Sequence, residues 1–164
     1  MVSIHRKEQL PLFNQIGEIR ERAITMGKIA NILQNQKELD EALHIHNEEE
    51  LPVYKKLGDS RAYAITMGQI ANILQAQGQI DAALRIYNNE QLSMFKKVGD
   101  THSIAVTLCN IANIIVAQGQ PNEALRIYKE ALPVFEKLGD IRSRDIVMKK
   151  IKSIFQQREQ HNEA

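Results

Sequence analysis

The chain has 164 residues, 43% hydrophobic and 25% charged, which is the composition of an ordinary folded protein and not of a disordered one. Its formal net charge of +1 is too small to attract a nucleic acid backbone, and its single cysteine, Cys109, excludes an intrachain disulfide. No apolar stretch is long enough for a signal peptide or a membrane span, so we expect a cytoplasmic protein that binds neither nucleic acid nor membrane.

One segment recurs along the chain. Its copies begin at Gly17, Gly58, Gly99 and Gly139, spaced 41, 41 and 40 residues apart, and the first two read GEIRERAITMGKIANILQ and GDSRAYAITMGQIANILQ. A fixed period of this length indicates stacked units of secondary structure. A single domain, 1–164, is therefore predicted to consist of a half-repeat (2–16), three repeats (17–57, 58–98 and 99–138) and a C-terminal capping helix with a tail (139–164).

Two helices are predicted in every complete repeat, because apolar residues recur three and four positions apart, as in Met67, Ile70 and Leu74. The turn between them contains Gly78 in the second repeat and Gly119 in the third. Lys37 occupies this position in the first repeat, which predicts a less comfortable turn there.

Junctions between repeats carry signals for a helix end and a helix start. A glycine able to take positive φ is followed by aspartate, a favoured helix cap, in Gly58-Asp59, Gly99-Asp100 and Gly139-Asp140. Four residues before each boundary glycine stands an aromatic residue, which we interpret as core: Phe13, Tyr54, Phe95 and Phe135.

Small residues indicate where the two helices of a repeat cross. Alanines twelve positions apart lie one in each helix: Ala30 and Ala42, Ala71 and Ala83, Ala112 and Ala124. Four positions after the second alanine stand His46, Tyr87 and Tyr128. In this pattern the chain resembles the tetratricopeptide repeat (TPR) family, in the long-helix variant of kinesin light chains and bacterial signalling proteins. The tryptophan that the family favours is replaced by Met26, Met67 and Leu108.

The resemblance implies an all-α fold, a right-handed superhelical solenoid of antiparallel helix pairs, and a protein-protein interaction scaffold without catalysis. It also implies that the first helices line a concave groove that holds a peptide or protein segment. The candidate partner-binding residues are the polar side chains of those helices that are not needed for packing: Lys28, Asn31, Gln34, Asn35, Gln69, Asn72, Gln75, Asn110, Asn113 and Lys150.

Asparagine recurs inside Ile-Ala-Asn-Ile in each complete repeat, as Asn31, Asn72 and Asn113. Its amide both donates and accepts, so a row of asparagines could satisfy an extended peptide backbone. The alternative is that these residues bond neighbouring helices and only hold the repeats together. A carboxylate clamp of the kind known in the family would need lysine one turn earlier, where Gly27, Gly68 and Cys109 stand.

Catalytic, metal and cofactor sites are not expected. His44 and His46 are two residues apart on a helix and face different directions, and no zinc-ligand spacing occurs. The run from Glu48 to Glu50 is interpreted as solvated, because no nucleophile or base recurs beside it. Cys109 lies within a helix, away from any cationic setting, and is interpreted as a small packed residue.

The two ends resemble half-repeats. Residues 2–16 match a second helix, while residues 140–157 match a first helix in which Lys152 replaces the crossing alanine, which predicts a polar cap. The alternative function is therefore a structural or self-assembling spacer, a homo-oligomer associating through its N-terminal half-repeat.

One extra residue precedes Pro52 relative to Pro133, since Ala42 to Pro52 is ten positions and Ala124 to Pro133 is nine. An inserted residue in a helix is often absorbed as a π-bulge. We therefore predict a bend or bulge between Asn47 and Pro52 that is sharper than any near Pro133.

Overall fold

The computed structural model describes the backbone of residues 2–162 and the side chains of residues 15–157. Its regular structure within residues 2–162 is entirely helical. The chain divides into two compact units, Met1–Ile86 and Tyr87–Ala164.

The first unit contains two helix pairs. Helix α1 packs against α2, and α4 packs against α5, with α3 joining the pairs. The bounds are α1 Val2–Asn35, α2 Leu39–Ile45, a π-helical segment His46–Glu50, α3 Leu51–Leu57, α4 Ser60–Ala76 and α5 Ile80–Arg85.

The second unit follows the same pattern, with α6 against α7, α7 against α8 and α8 against α9. A second π-helical segment, Ile86–Gln91, leads into it. The bounds are α6 Leu92–Val98, α7 Thr101–Ala117, α8 Pro121–Leu138 and α9 Ile141–Asn162.

The core consists of the residues that the repeat pattern selects. All six crossing alanines are 0% exposed, which allows paired helices to approach closely. Tyr54, Phe95 and Phe135 are buried as predicted, whereas the side chain of Phe13 lies outside the described residues. In the first unit Ala30, Ala42, Ile45 and Ile73 form one apolar cluster.

Helix ends fall at three of the predicted junctions. Gly58, Gly99 and Gly139 take φ of 66°, 70° and 69°, and the following aspartates accept backbone N–H groups from Ala62, Ser103 and Ser143. Lys37 takes φ of 68° in the turn where its counterparts are glycine, which confirms the less comfortable turn.

The fourth predicted junction, at Gly17, is wrong as a helix boundary. Helix α1 continues through it from Val2 to Asn35, so residues 2–16 do not form a separate helix. Two flanking residues differ at this junction. Glu18 stands where the others have aspartate, the favoured cap, and Gln15 stands where they have a lysine, which favours a helix C-terminus.

The expected bulge before Pro52 is confirmed as the π-helical segment His46–Glu50, while α8 runs without interruption through Pro133. The second repeat has a π-helical segment at the corresponding place, Ile86–Gln91, although it lacks the proline. Both repeats of 41 residues thus absorb their extra residue as a π turn, and the repeat of 40 residues has none.

The prediction of a polar cap on α9 is wrong in part. Lys152 is exposed, but so are four large apolar side chains of the same helix: Ile141, Ile146, Met148 and Phe155. Leu132 of α8 lines a groove together with Met148, Ile151 and Phe155, and Lys152 borders it.

Candidate protein-binding site

The predicted partner-binding residues lie on α1, α4, α7 and α9, the first helices of their repeats. None of them is buried. The exposed members are Lys28, Asn31, Asn35 and Lys150, and the half-buried ones are Gln34, Gln69, Asn72, Gln75, Asn110 and Asn113. Eight of the ten are amides, and an amide side chain offers both a donor and an acceptor without a fixed charge.

The three recurrent asparagines differ in their bonding. Asn31 is exposed to solvent. Nδ2 of Asn72 donates to Oε1 of Gln69 on the same helix at 3.2 Å. Asn113 instead accepts a hydrogen bond of 2.6 Å from the hydroxyl of the buried Tyr128, so at this position the asparagine joins α7 to α8.

Gly27 lies beside a buried carboxylate that the sequence did not reveal. Glu50 is only 8% exposed, so the interpretation of the run from Glu48 to Glu50 as solvated is wrong for this residue. A Cβ added to Gly27 would stand 2.6 Å from Oε1 of Glu50. The space beside this glycine is therefore filled by the protein's own side chain.

Glu50 belongs to a buried polar cluster of the first unit. Its Oε2 lies 2.6 Å from Nδ1 of His46, whose Nε2 is buried without a hydrogen-bond partner. Burial, followed by the charge and hydrogen bond of Glu50, raises the pKa of Tyr54 to about 12. Glu50 is the last residue of the π-helical segment, and Gln91 at the matching place of the second repeat is buried too.

Cys109 is half-buried, and burial raises the pKa of its thiol to about 11. The thiolate that would react is therefore strongly disfavoured at neutral pH, in agreement with a packed residue. Among the described residues no three His, Cys, Asp or Glu side chains come together as a metal site. None of the helices within that part of the chain is long and apolar enough to cross a membrane.

Comparisons with known proteins agree with this class of helical repeat. The model of the tetratricopeptide repeat family matches residues 21–89 and 62–137. Among solved structures, a Podosopora anserina protein, described as a kinesin light chain with nearly identical TPR-like repeats, is similar with a TM-score of 0.63 and 19% sequence identity. That match covers 87% of this chain and 69% of the other. No curated protein matches the chain significantly.

The fold is thus an all-α repeat solenoid of helix pairs. The chain belongs to the tetratricopeptide repeat family. Repeats of this family generally act as scaffolds for protein interaction and are typically not enzymes.

Proposed function

We propose that the chain binds an extended peptide or protein segment through the amide-rich surface of its first helices, and that it does so by hydrogen bonding the segment's backbone. The observation that carries this proposal is the accessibility of all ten predicted residues, eight of which are amides. Family membership supports a protein partner but does not specify this surface.

Amide side chains suit backbone recognition because each presents a donor and an acceptor, as a peptide unit does. Asn31, Gln34 and Asn35 provide such groups on α1. On α4 Gln75 provides them as well, and Gln69 and Asn72 add the amide groups that their mutual hydrogen bond leaves over. Lys28 is exposed on α1 and adds a positive charge that would favour an acidic segment. Asn113 contributes less to binding, since its carbonyl oxygen is already engaged by Tyr128.

A cytoplasmic location, the absence of a cofactor and the absence of nucleic acid binding are part of the same proposal. The nearly balanced charge supports the absence of nucleic acid binding, and the single cysteine suits a reducing compartment such as the cytoplasm.

Peptides selected from a randomised display library test the mode of recognition. If the amide surface reads the backbone, the selected peptides share little side-chain consensus, and N-methylation of their central amides weakens binding roughly tenfold or more, because each lost hydrogen bond is worth about 1 kcal/mol. Alanine substitution of single peptide side chains serves as the control. Binding that survives N-methylation but is lost on a single side-chain change would contradict backbone recognition.

A second candidate function is self-association through the N-terminal segment, and one specific observation favours it. An apolar face of α1 is exposed where the matching faces of α4 and α7 are buried.

A further inference from the structure

One face of α1 is exposed although its counterparts are core. Ile29 and Ile32 are 40% and 56% exposed, and Thr25 beside them is exposed as well. The isoleucines at the same positions of α4 and α7 are at most 4% exposed: Ile70, Ile73, Ile111 and Ile114. The threonines matching Thr25, Thr66 and Thr107, are each 1% exposed.

In the interior repeats, the preceding second helix covers this face. In the first unit Ile73 of α4 belongs to one apolar cluster with Ala42 and Ile45 of α2. In the second unit the hydroxyl of Thr107 on α7 donates to Oε1 of Gln91, just before α6, at 3.1 Å. The cover thus consists of an apolar contact and a buried polar contact.

Residues 2–16 carry the amino acids that make such a cover. Ile4 precedes Ile32 by 28 positions, as Ile45 precedes Ile73. Gln9 precedes Thr25 by 16 positions, as Gln91 precedes Thr107. Residues 2–16 therefore carry the residue types that both kinds of contact with the following face require.

The covering segment cannot reach that face within one copy of α1. Both lie on the same continuous helix, Val2–Asn35, and a helix of 34 residues is about 50 Å long. A cover formed by residues 2–16 must therefore come from another molecule for as long as α1 remains unbroken at Gly17.

We propose that two copies of the chain pair antiparallel through α1, residues 2–16 of each copy covering Thr25, Ile29 and Ile32 of the other. Gln9 and Thr25 are equally far from Gly17, so a two-fold axis at this glycine places each Gln9 beside the partner's Thr25. The interface is isologous and closed, because each contact occurs twice and no further copy can add to it.

This association goes beyond the proposed binding of a peptide and uses a different surface. At 100° per residue, the face of Thr25, Ile29 and Ile32 lies about a quarter turn around α1 from that of Lys28, Asn31 and Asn35. Failure of one proposal therefore leaves the other standing.

Sedimentation equilibrium over a range of concentrations tests the pairing. We expect the chain to have about twice its single-chain mass of 18.7 kDa. Replacing Ile29 and Ile32 together by Asp should weaken the dimer at least 100-fold, because two charges would be buried at the interface. The matched control is Ile65→Asp, a change at an isoleucine of α4 that is 43% exposed, and it should leave the dimer intact. A monomeric wild-type chain, or a dimer unaffected by the double change, would overturn the proposal.

Disulfide trapping distinguishes exchange between copies from folding back within one copy. In a chain with Cys109→Ala, Gln9→Cys and Thr25→Cys, oxidation should yield a covalent dimer on a non-reducing gel. A monomer that migrates faster after oxidation would show that residues 2–16 cover their own chain. That result, or no disulfide at all, would overturn the pairing.

Discussion

Gly27 and Glu50 can lie side by side only because the glycine has no side chain. A Cβ at Gly27 would stand 2.6 Å from Oε1 of the glutamate. The carboxylate cannot move away freely, because it is held by His46 at 2.6 Å and is the acceptor for Tyr54. The third repeat uses a different pair at the matching positions, Cys109 on the first helix and Ala131 two residues before Pro133. In the third repeat the residue on the first helix is thus larger than glycine, and the residue on the second helix is smaller than glutamate.

This packing predicts that Gly27→Ala changes the free energy of unfolding in opposite directions with and without the Glu50 side chain. Gly27→Ala should destabilise the wild-type chain by about 1–2 kcal/mol, since the lost His46 contact and the overpacking outweigh the higher helix propensity of alanine. With Glu50→Ala already in place, the same Gly27→Ala change should stabilise by up to about 1 kcal/mol. Urea unfolding of the four chains measures both effects. Equal effects of Gly27→Ala in the two backgrounds would show that the two residues are not coupled.

Asn113 and Asn31 should respond differently to the same substitution. Asn113→Ala should cost about 1 kcal/mol, because the hydroxyl of Tyr128 loses its acceptor, and Tyr128→Phe should add little in that background. Asn31→Ala should change the free energy of unfolding by less than about 0.5 kcal/mol, since the side chain is exposed. Thermal or urea unfolding separates them, and an equal loss at both positions would make the asparagine row structural throughout.

Asp140 provides a prediction for pH. The backbone N–H of Ser143, followed by the His102 side chain 2.9 Å away, lowers the pKa of this carboxyl to about 2. Because the folded pKa is below the ordinary value of 3.8, the stabilisation by this cap is complete above about pH 4 and is lost as the pH falls towards about 2.

An NMR titration of the Asp140 carboxyl carbon measures this pKa directly. His102→Ala should raise it, because one partner of the charged form is lost. Asp140→Asn is the control, and it should remove the corresponding part of the acid unfolding between pH 4 and 2. An unchanged pKa in the His102 variant would exclude His102 as a cause.

Lys152 borders an exposed apolar groove, so its charge should limit association there. Lys152→Leu should enlarge the apolar surface formed with Leu132, Met148 and Phe155, and promote association without unfolding the chain. The comparison is best made in the Ile29→Asp, Ile32→Asp background, where pairing through α1 is disrupted, with light scattering and urea unfolding as readouts. A large loss of stability would mean that Lys152 is already engaged in folded structure.

Local sequence signals were sufficient to predict the fold. Features that depend on packing between residues distant in sequence were not predicted. Glycine followed by aspartate determined three helix junctions, and a count of residues before Pro52 predicted a π turn. Gly17 was misjudged because its glycine matches the other junctions, while Gln15 and Glu18 replace the lysine and the aspartate that flank them.

In the candidate site, too, residues that look equivalent in sequence differ in their structural surroundings. Glu48, Glu49 and Glu50 are alike in sequence and lie in the same π-helical segment, yet only Glu50 is buried, in the space beside Gly27. Similarly, Asn31 and Asn113 occupy the same repeat position. Asn113 is bonded to a tyrosine on the neighbouring helix, whereas His46 stands at the tyrosine position of the first repeat.

Binding of a display-selected peptide to the Asn31→Ala, Asn72→Ala double variant is the most direct test of the proposed scaffold function, with titration calorimetry as the measurement. We expect affinity to fall roughly tenfold or more while the thermal midpoint stays nearly unchanged. The matched control, Asn47→Ala with Asn122→Ala, changes exposed asparagines outside the first helices and should bind as the wild type does. Wild-type affinity in the Asn31, Asn72 variant would contradict the proposal and place the partner on another surface.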